Sequence, residues 1–302
     1  MCVCLAAARL SNTILYAAEV RPDGADVVHV LGYQNTVQNL PARGAAGGNA
    51  MILPFPAVPG TMTQKNVVAT DACPHILEDL AEAVRWQDTG RPRSLGLADT
   101  AKSVQIFDTG IYTVVLAQDA RDIPAALARV PAAKRPALNQ PIFDAYAVWY
   151  PEWTVALCCF NNRDAARATP LLWWYRPGNP EALFAPALDC HTGEVPDLKA
   201  QVQVDHTVAV ASYVMDEQGF WTRTHGKGGE SLEQLTRVRY QDPIPAEVRP
   251  LLCDHAVGGT YEKRMRNGDF FCSVKNLREG AYGSKGLFHR VGPPGAATPL
   301  RA

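Results

Sequence analysis

Two cysteines, Cys2 and Cys4, stand in the opening stretch MCVCLAAARL, and the first directly follows the initiator methionine. Methionine is removed when the next side chain is small, which leaves Cys2 with a thiol and a free α-amine on one residue. Such a residue holds a nucleophile and its general base together, the pairing that attack on an amide carbonyl requires. The tetrahedral intermediate then needs oxyanion donors, commonly an amide side chain with backbone N–H groups. Asn35 in LGYQN, Asn49 in GGNAM and Asn161 in CCFNN are candidates for that role. Arg9 and Arg43 carry guanidinium groups able to grip a substrate carboxylate. These residues predict a thiol-dependent amide-bond hydrolase or acyl transferase, acting on a small-molecule or peptide amide and needing no cofactor.

Histidines beside acids form a second pattern. LDCHTGEVPDL holds Asp189, Cys190 and His191; QVDHTVAV holds Asp205 and His206; LLCDHAVGG holds Cys253, Asp254 and His255. Brought together, His191, His206 and His255 would offer nitrogen ligands oriented by carboxylates, and hence a metal-dependent enzyme. None has the i, i+4 spacing of a helical zinc motif, and neighbours on a strand point to opposite faces. The alternative is that these residues satisfy turns and caps, so no metal site is predicted. Cys73 and His75 lie near a helix start, where residues i and i+2 do not face each other. ARGAAGG lacks the Lys-Ser/Thr ending of a phosphate loop and reads as a plain loop.

The elements that would position these groups follow from turns and periodicity. TILYAAEV and DVVHVLGYQN flank a Pro-Asp-Gly turn, which predicts a hairpin. NAMILPFP is extended, and its prolines make it an edge or an exit from a sheet. From Asp71 to about Trp86, Ile76, Leu77, Leu80, Ala81 and Val84 form the stripe of a core-facing helix capped by Asp71. DTGIYTVVLAQ reads as a strand and IPAALARV as a short helix with Pro in its first turn. WTVALCCF and LLWWYRP read as a strand pair across NNRDAARAT, and HTVAVASYVM as a further strand. Aromatic residues concentrate between Tyr146 and Tyr175. On strands they fill a core or, alternatively, line an aromatic groove for a peptide or glycan, which gives a second function: a non-catalytic binding or assembly protein using an aromatic-rich strand surface.

Strands with interspersed helices, without strict alternation, predict an α+β fold of mainly antiparallel sheets with a few packed helices. The main body is expected over 1–225, with a looser portion over 226–302 that ends in a disordered tail. The 302 residues are 47% hydrophobic and 20% charged, with a formal net charge of -1. That balance fits a soluble globular chain and gives no basic surface for nucleic acid or for a membrane. No basic segment precedes the apolar start as in a secretory signal, so a cytoplasmic location is expected. The eight cysteines then favour free thiols over disulfides.

Two resemblances follow from these residues. The Met-Cys start looks like that of N-terminal-nucleophile cysteine hydrolases and glutamine-dependent amidotransferases. The run VHVLGYQN, NAMILPFPA, helix and DTGIYTVVLAQDARDI resembles the opening of bacterial DUF2330-type proteins, over residues 1–165 at most. The chain differs from them in showing no secretory signal. That family has no established reaction, so this resemblance implies an architecture and no site residues.

Overall fold

A computed structural model describes residues 3–6, 10–37, 47–84, 104–164, 169–217, 236–279 and 288–296. In chain order it opens with strands β1 (Val3–Cys4), β2 (Leu10–Val20), β3 (Val28–Val37), β4 (Gly48–Phe55) and β5 (Val67–Val68). Helix α1 (Ile76–Val84), strands β6 (Gln105–Thr109) and β7 (Tyr112–Ala117), and helices α2 (Ile123–Ala126) and α3 (Gln140–Trp149) come next. Strands β8 (Thr154–Asn161), β9 (Leu171–Tyr175), β10 (Ala182–Ala185), β11 (Gln201–Gln203) and β12 (His206–Ser212) lead to helix α4 (Tyr213–Glu217). The last elements are β13 (Thr236–Arg237), β14 (His255–Tyr261), β15 (Arg264–Arg266), β16 (Asp269–Ser273), α5 (Val274–Arg278) and β17 (His289–Val291).

Two sheets dominate. A seven-stranded sheet runs β13-β14-β12-β2-β3-β9-β5, and a five-stranded sheet runs β1-β4-β8-β7-β6. The three strands β10-β16-β17 and the ribbon β11-β15 are smaller additions. The fold is α+β, and its strand ladders are antiparallel apart from β12 on β2.

Side-chain alternation turns the two sheets into layers. On β2, Leu15 and Ala17 enter the core between the sheets, while Tyr16 and Ala18 face a separate core under α1. On the five-stranded sheet, Met51, Leu53, Val114, Leu116 and Cys158 face inward. Ala50, Ile52, Val115, Leu157 and Cys159 face a third core covered by α2 and α3. The order is therefore helix, sheet, sheet, helices. Adjacent Cys158 and Cys159 consequently belong to different cores.

The helix stripe is as the spacing predicts: Ile76, Leu77, Leu80, Ala81 and Val84 are all buried against the seven-stranded sheet. The helix starts at Ile76, later than its expected cap. A carboxylate from far along the chain caps it instead, since Asp242 Oδ2 accepts from the His75 backbone N–H at 3.1 Å and lies 3.0 Å from His75 Nδ1. Residues 85 and 86 lie outside the described residues.

Two expectations about strands are corrected. β8 and β9 do not pair, because β8 has β4 on one edge and β7 on the other. With both edges taken, β9 joins β3 in the other sheet. Tyr146 and Trp149 lie on a helix, α3, whose first turn contains Pro141 and whose buried stripe includes Ile142, Phe143, Tyr146 and Trp149. β4 does tolerate Pro54: β1 pairs only with Met51 and Ile52, so β4 is an open edge by the time it reaches the proline.

Beyond residue 226, β13 and β14 extend the seven-stranded sheet and β16 and β17 complete the three-stranded one. Gly295 N–H donates to the Trp149 carbonyl at 2.8 Å, and residues 297–302 lie outside the described residues. Among the described residues no helix is long and apolar enough to cross a membrane.

Candidate functional site

Cys2, Arg9 and Arg43 lie outside the described residues. The asparagines proposed as oxyanion donors are described: Asn35 lies on the seven-stranded sheet, apart from Asn49 and Asn161 on adjacent strands of the five-stranded sheet. Asn35 sits on β3, where its Oδ1 accepts from the Thr13 hydroxyl at 2.7 Å and its Nδ2 donates to the Tyr33 hydroxyl at 2.8 Å. Asn49 sits on β4 in the other sheet and is fully buried. Its Oδ1 accepts from the backbone N–H groups of Ala6 at 3.1 Å and Ala50 at 2.8 Å, which ties the N-terminal strand down. Asn161 ends β8 and accepts from the Arg163 N–H at 3.0 Å, the local turn contact typical of asparagine.

Cys4 is fully buried in the inter-sheet core. Its Sγ lies 4.0 Å from His191 Nδ1, and His191 Nε2 lies 3.1 Å from Asp189 Oδ1, within ion-pair distance but out of hydrogen-bond alignment. The Cys4 N–H meanwhile donates to the Cys190 carbonyl at 3.0 Å. These contacts pin the 186–191 segment to the first strand.

The other described thiols are closed off too. Cys73, Cys158, Cys159, Cys253 and Cys272 are buried, and only Cys190 is half-exposed. Burial pushes Cys159 up to about 12 and raises Cys73, Cys253 and Cys272 as well. A thiol held in its neutral form is a poor nucleophile.

The three histidines remain apart, each with its own aspartate. In the β12–β14 ladder His206 is opposite Tyr261, while His255 starts β14 at the other end. Six residues along a strand separate these positions, about 20 Å at the usual rise. His255 Nδ1 meets Asp216 Oδ1 at 2.7 Å, and Asp216 Oδ2 accepts from the Asp254 N–H at 2.8 Å. This carboxylate fastens the end of α4 to the start of β14. His206 is fully buried and lies 3.7 Å from Asp205, which accepts from the Asn12 N–H at 3.0 Å. Among the described residues no group of three or more His, Cys, Asp or Glu side chains could hold a metal ion. The metal-dependent reading is corrected: the sheet register holds His206 and His255 most of a strand apart, and His191 joins no such group.

The aromatic residues are mostly interior. Tyr146, Trp149, Tyr150, Trp173 and Tyr175 are buried, and Trp173 leans on Phe55 with ring centres 5.1 Å apart. The expected aromatic strand surface is thus part of the cores.

Two buried polar clusters went unnoticed in the sequence. In the first, Asp269 Oδ2 accepts from the Tyr150 hydroxyl at 2.5 Å. Its Oδ1 accepts from the N–H groups of Ala187 at 2.8 Å and Leu188 at 3.1 Å. Burial pushes this carboxyl up to about 6, against the Tyr150 hydroxyl, the two backbone N–H groups and, least, Arg290. Beside Asp269 is a small cavity of about 10 Å³, bordered by Val3, Ile52 and Tyr146, with room for about one water. The second cluster is Glu19, which takes Arg278 from α5 and the Ser212 hydroxyl. A lone acid inside an apolar strand such as LYAAEV is the one signal that could have marked it.

No family model matches the chain. No curated protein matches it either. Solved structures do show a likeness in chain course. The crystal structure of baculovirus P35 is similar over 95% of this chain and 93% of that one, at 14% identity and a TM-score of 0.42. A mutated baculovirus P35 after caspase cleavage is similar over 94% and 95%, at 12% identity and a TM-score of 0.41. The caspase-8/P35 complex is similar over 94% and 92%, at 13% identity and a TM-score of 0.39. The expected amide hydrolase and its small-molecule or peptide amide substrate are corrected: Asn35 lies on a different sheet from Asn49 and Asn161, and six of the seven described thiols are closed into cores.

Proposed function

We propose that the chain is a non-catalytic protein that binds a protein partner. The observation that supports this reading is the use made of reactive side chains. Six thiols fill the cores, and the aspartates beside His75 and His255 each join segments distant in sequence. Groups used in this way hold a shape and are not poised for turnover. The edge strand β6 offers a place for an extended segment of a partner, because it has β7 on one side and no described strand on the other. Its Ile106 and Phe107 are half-buried, which suits strand addition with backbone hydrogen bonds and alternating side-chain contacts.

Caspase-8, the partner in the similar P35 complex, serves as the first trial protein. Hydrogen exchange of the full chain is measured alone and in the mixture, beside an assay of amide turnover. Protection gained at residues 104–109 with no turnover is the expected result. Amide turnover that Cys2→Ser abolishes, with no complex formed, would overturn the reading.

A further inference from the structure

One end of the seven-stranded sheet carries a polar row. In register across four strands lie Ser212, Glu19, His29 and Tyr175. Residues in register project from the same face, here the face that also carries Ala17, Leu31 and Trp173 into the inter-sheet core. Glu19 is 1% exposed. Its carboxylate accepts the Ser212 hydroxyl at 2.7 Å, Arg278 Nε at 3.0 Å and also Arg278 Nη2. Arg278 is the last residue of α5, so an acid on the second strand holds a short helix from near the end of the chain.

His29 lies beside this link and is fully buried. Neither ring nitrogen has a partner in hydrogen-bonding geometry, and the ring meets Tyr175 edge-on at 5.8 Å. The groups around the row come from every neighbouring element. Glu19 is on β2, Tyr175 on β9, and Ser212 on β12. Arg278 is on α5, the Pro180 carbonyl faces the imidazole, and Glu181 and Tyr213 flank Arg278. Arg21 stacks on Tyr213 at 4.6 Å.

We propose that this row is an acid-operated latch: protonating it breaks the Glu19–Arg278 link and lets α5 lift away while the two sheets stay folded. The asymmetry in exposure sets which partner leaves. An imidazolium at position 29 would bring a second cation to one buried carboxylate. His29 has no route to solvent, whereas the Arg278 side chain is 36% exposed and reaches water by a rotamer change. α5 is only five residues long, and it is held besides by the buried side chains of Val274 and Leu277, by the Val274 N–H donating to the Glu181 carbonyl at 3.0 Å, and by the Ser273 cap on Asn276 N–H at 3.2 Å. Few contacts therefore need to break, the condition for local rather than global opening.

Burial first, and then Arg278, hold the imidazole down to about 4 against its ordinary 6.5, with the Pro180 carbonyl opposing them. A histidine lowered on folding contributes its stability fully above its unfolded value and loses it progressively as pH falls from 6.5 to about 4. The latch is closed at neutral pH and opens in acid.

Peptide-resolved hydrogen exchange on the full chain tests this, at about pH 7.5 and about pH 4.5 and corrected for intrinsic rates. Residues 274–278 should lose protection about tenfold in acid while β4 and β8 keep theirs. His29→Gln, which has no titrating ring, should keep α5 protected in acid. Glu19→Gln should leave it unprotected at both pH values. Loss of protection by α5, β4 and β8 in one shared transition would overturn the latch, as would His29→Gln behaving like the wild type.

Discussion

Replacing Asp269 with alanine is expected to cost about 3–5 kcal/mol in equilibrium unfolding, the range for breaking one side of a buried charged network. The substitution would strand two backbone N–H groups and the Tyr150 hydroxyl inside the protein, and it would free the segment that carries Ala187 and Leu188. Asp269→Asn keeps the shape and one carbonyl acceptor, so its cost should be well below that of the alanine variant. The two variants also separate the pH dependence. Burial raises this carboxyl from 3.8 to about 6. A group raised on folding contributes its stability fully below its unfolded value and loses it as pH rises through its folded value. Relative to Asp269→Asn, the wild type should therefore lose on the order of 3 kcal/mol between those limits, at about 1.4 kcal/mol per unit. His29 works in the opposite sense over nearly the same window, so the comparison with the asparagine variant isolates the Asp269 contribution. Chemical denaturation at several pH values measures both.

Trp173→Ala should be as damaging, at about 3–5 kcal/mol for a large aromatic removed from a close-packed core. Trp173 is fully exluded from solvent between the sheets, where Phe55 and Phe107 pack against its ring. Its indole N–H is buried with no hydrogen-bond partner. Trp173→Phe removes that unsatisfied donor along with part of the ring, and its net cost should fall well short of the alanine value. If Trp173 instead formed a binding surface, both variants would leave stability near the wild-type level.

Short-range pattern made much of the fold legible. The α1 stripe, the β2–β3 hairpin and strand β7 were readable because each follows from local periodicity and turn residues, whereas DTGIYTVVLAQ, read as one strand, turns at Gly110 into the β6–β7 hairpin. α3 was equally readable from Pro141 and the spacing of Ile142, Tyr146 and Trp149, but its aromatic content suggests strand propensity. The partner of β8 was not readable, since it depends on β4 and β7, more than thirty residues before it. The candidate site suffered from the same limit. Asn35 and Asn49 look alike in the sequence, and only sheet membership separates them. Glu19 and Arg278 are 259 positions apart, and nothing local joins them. Residue type identified what could react; long-range pairing decided that the described thiols and histidines hold the structure together.

Whether the reactive side chains belong to the scaffold is measured most directly by site-resolved alkylation of the native protein with iodoacetamide, read by peptide mass mapping. Cys4, Cys73, Cys158, Cys159, Cys253 and Cys272 should label only as fast as the protein unfolds, and the half-exposed Cys190 should label ahead of them. Rapid labelling of Cys4 in the folded protein, accompanied by an amide turnover that Cys4→Ser abolishes, would contradict the account.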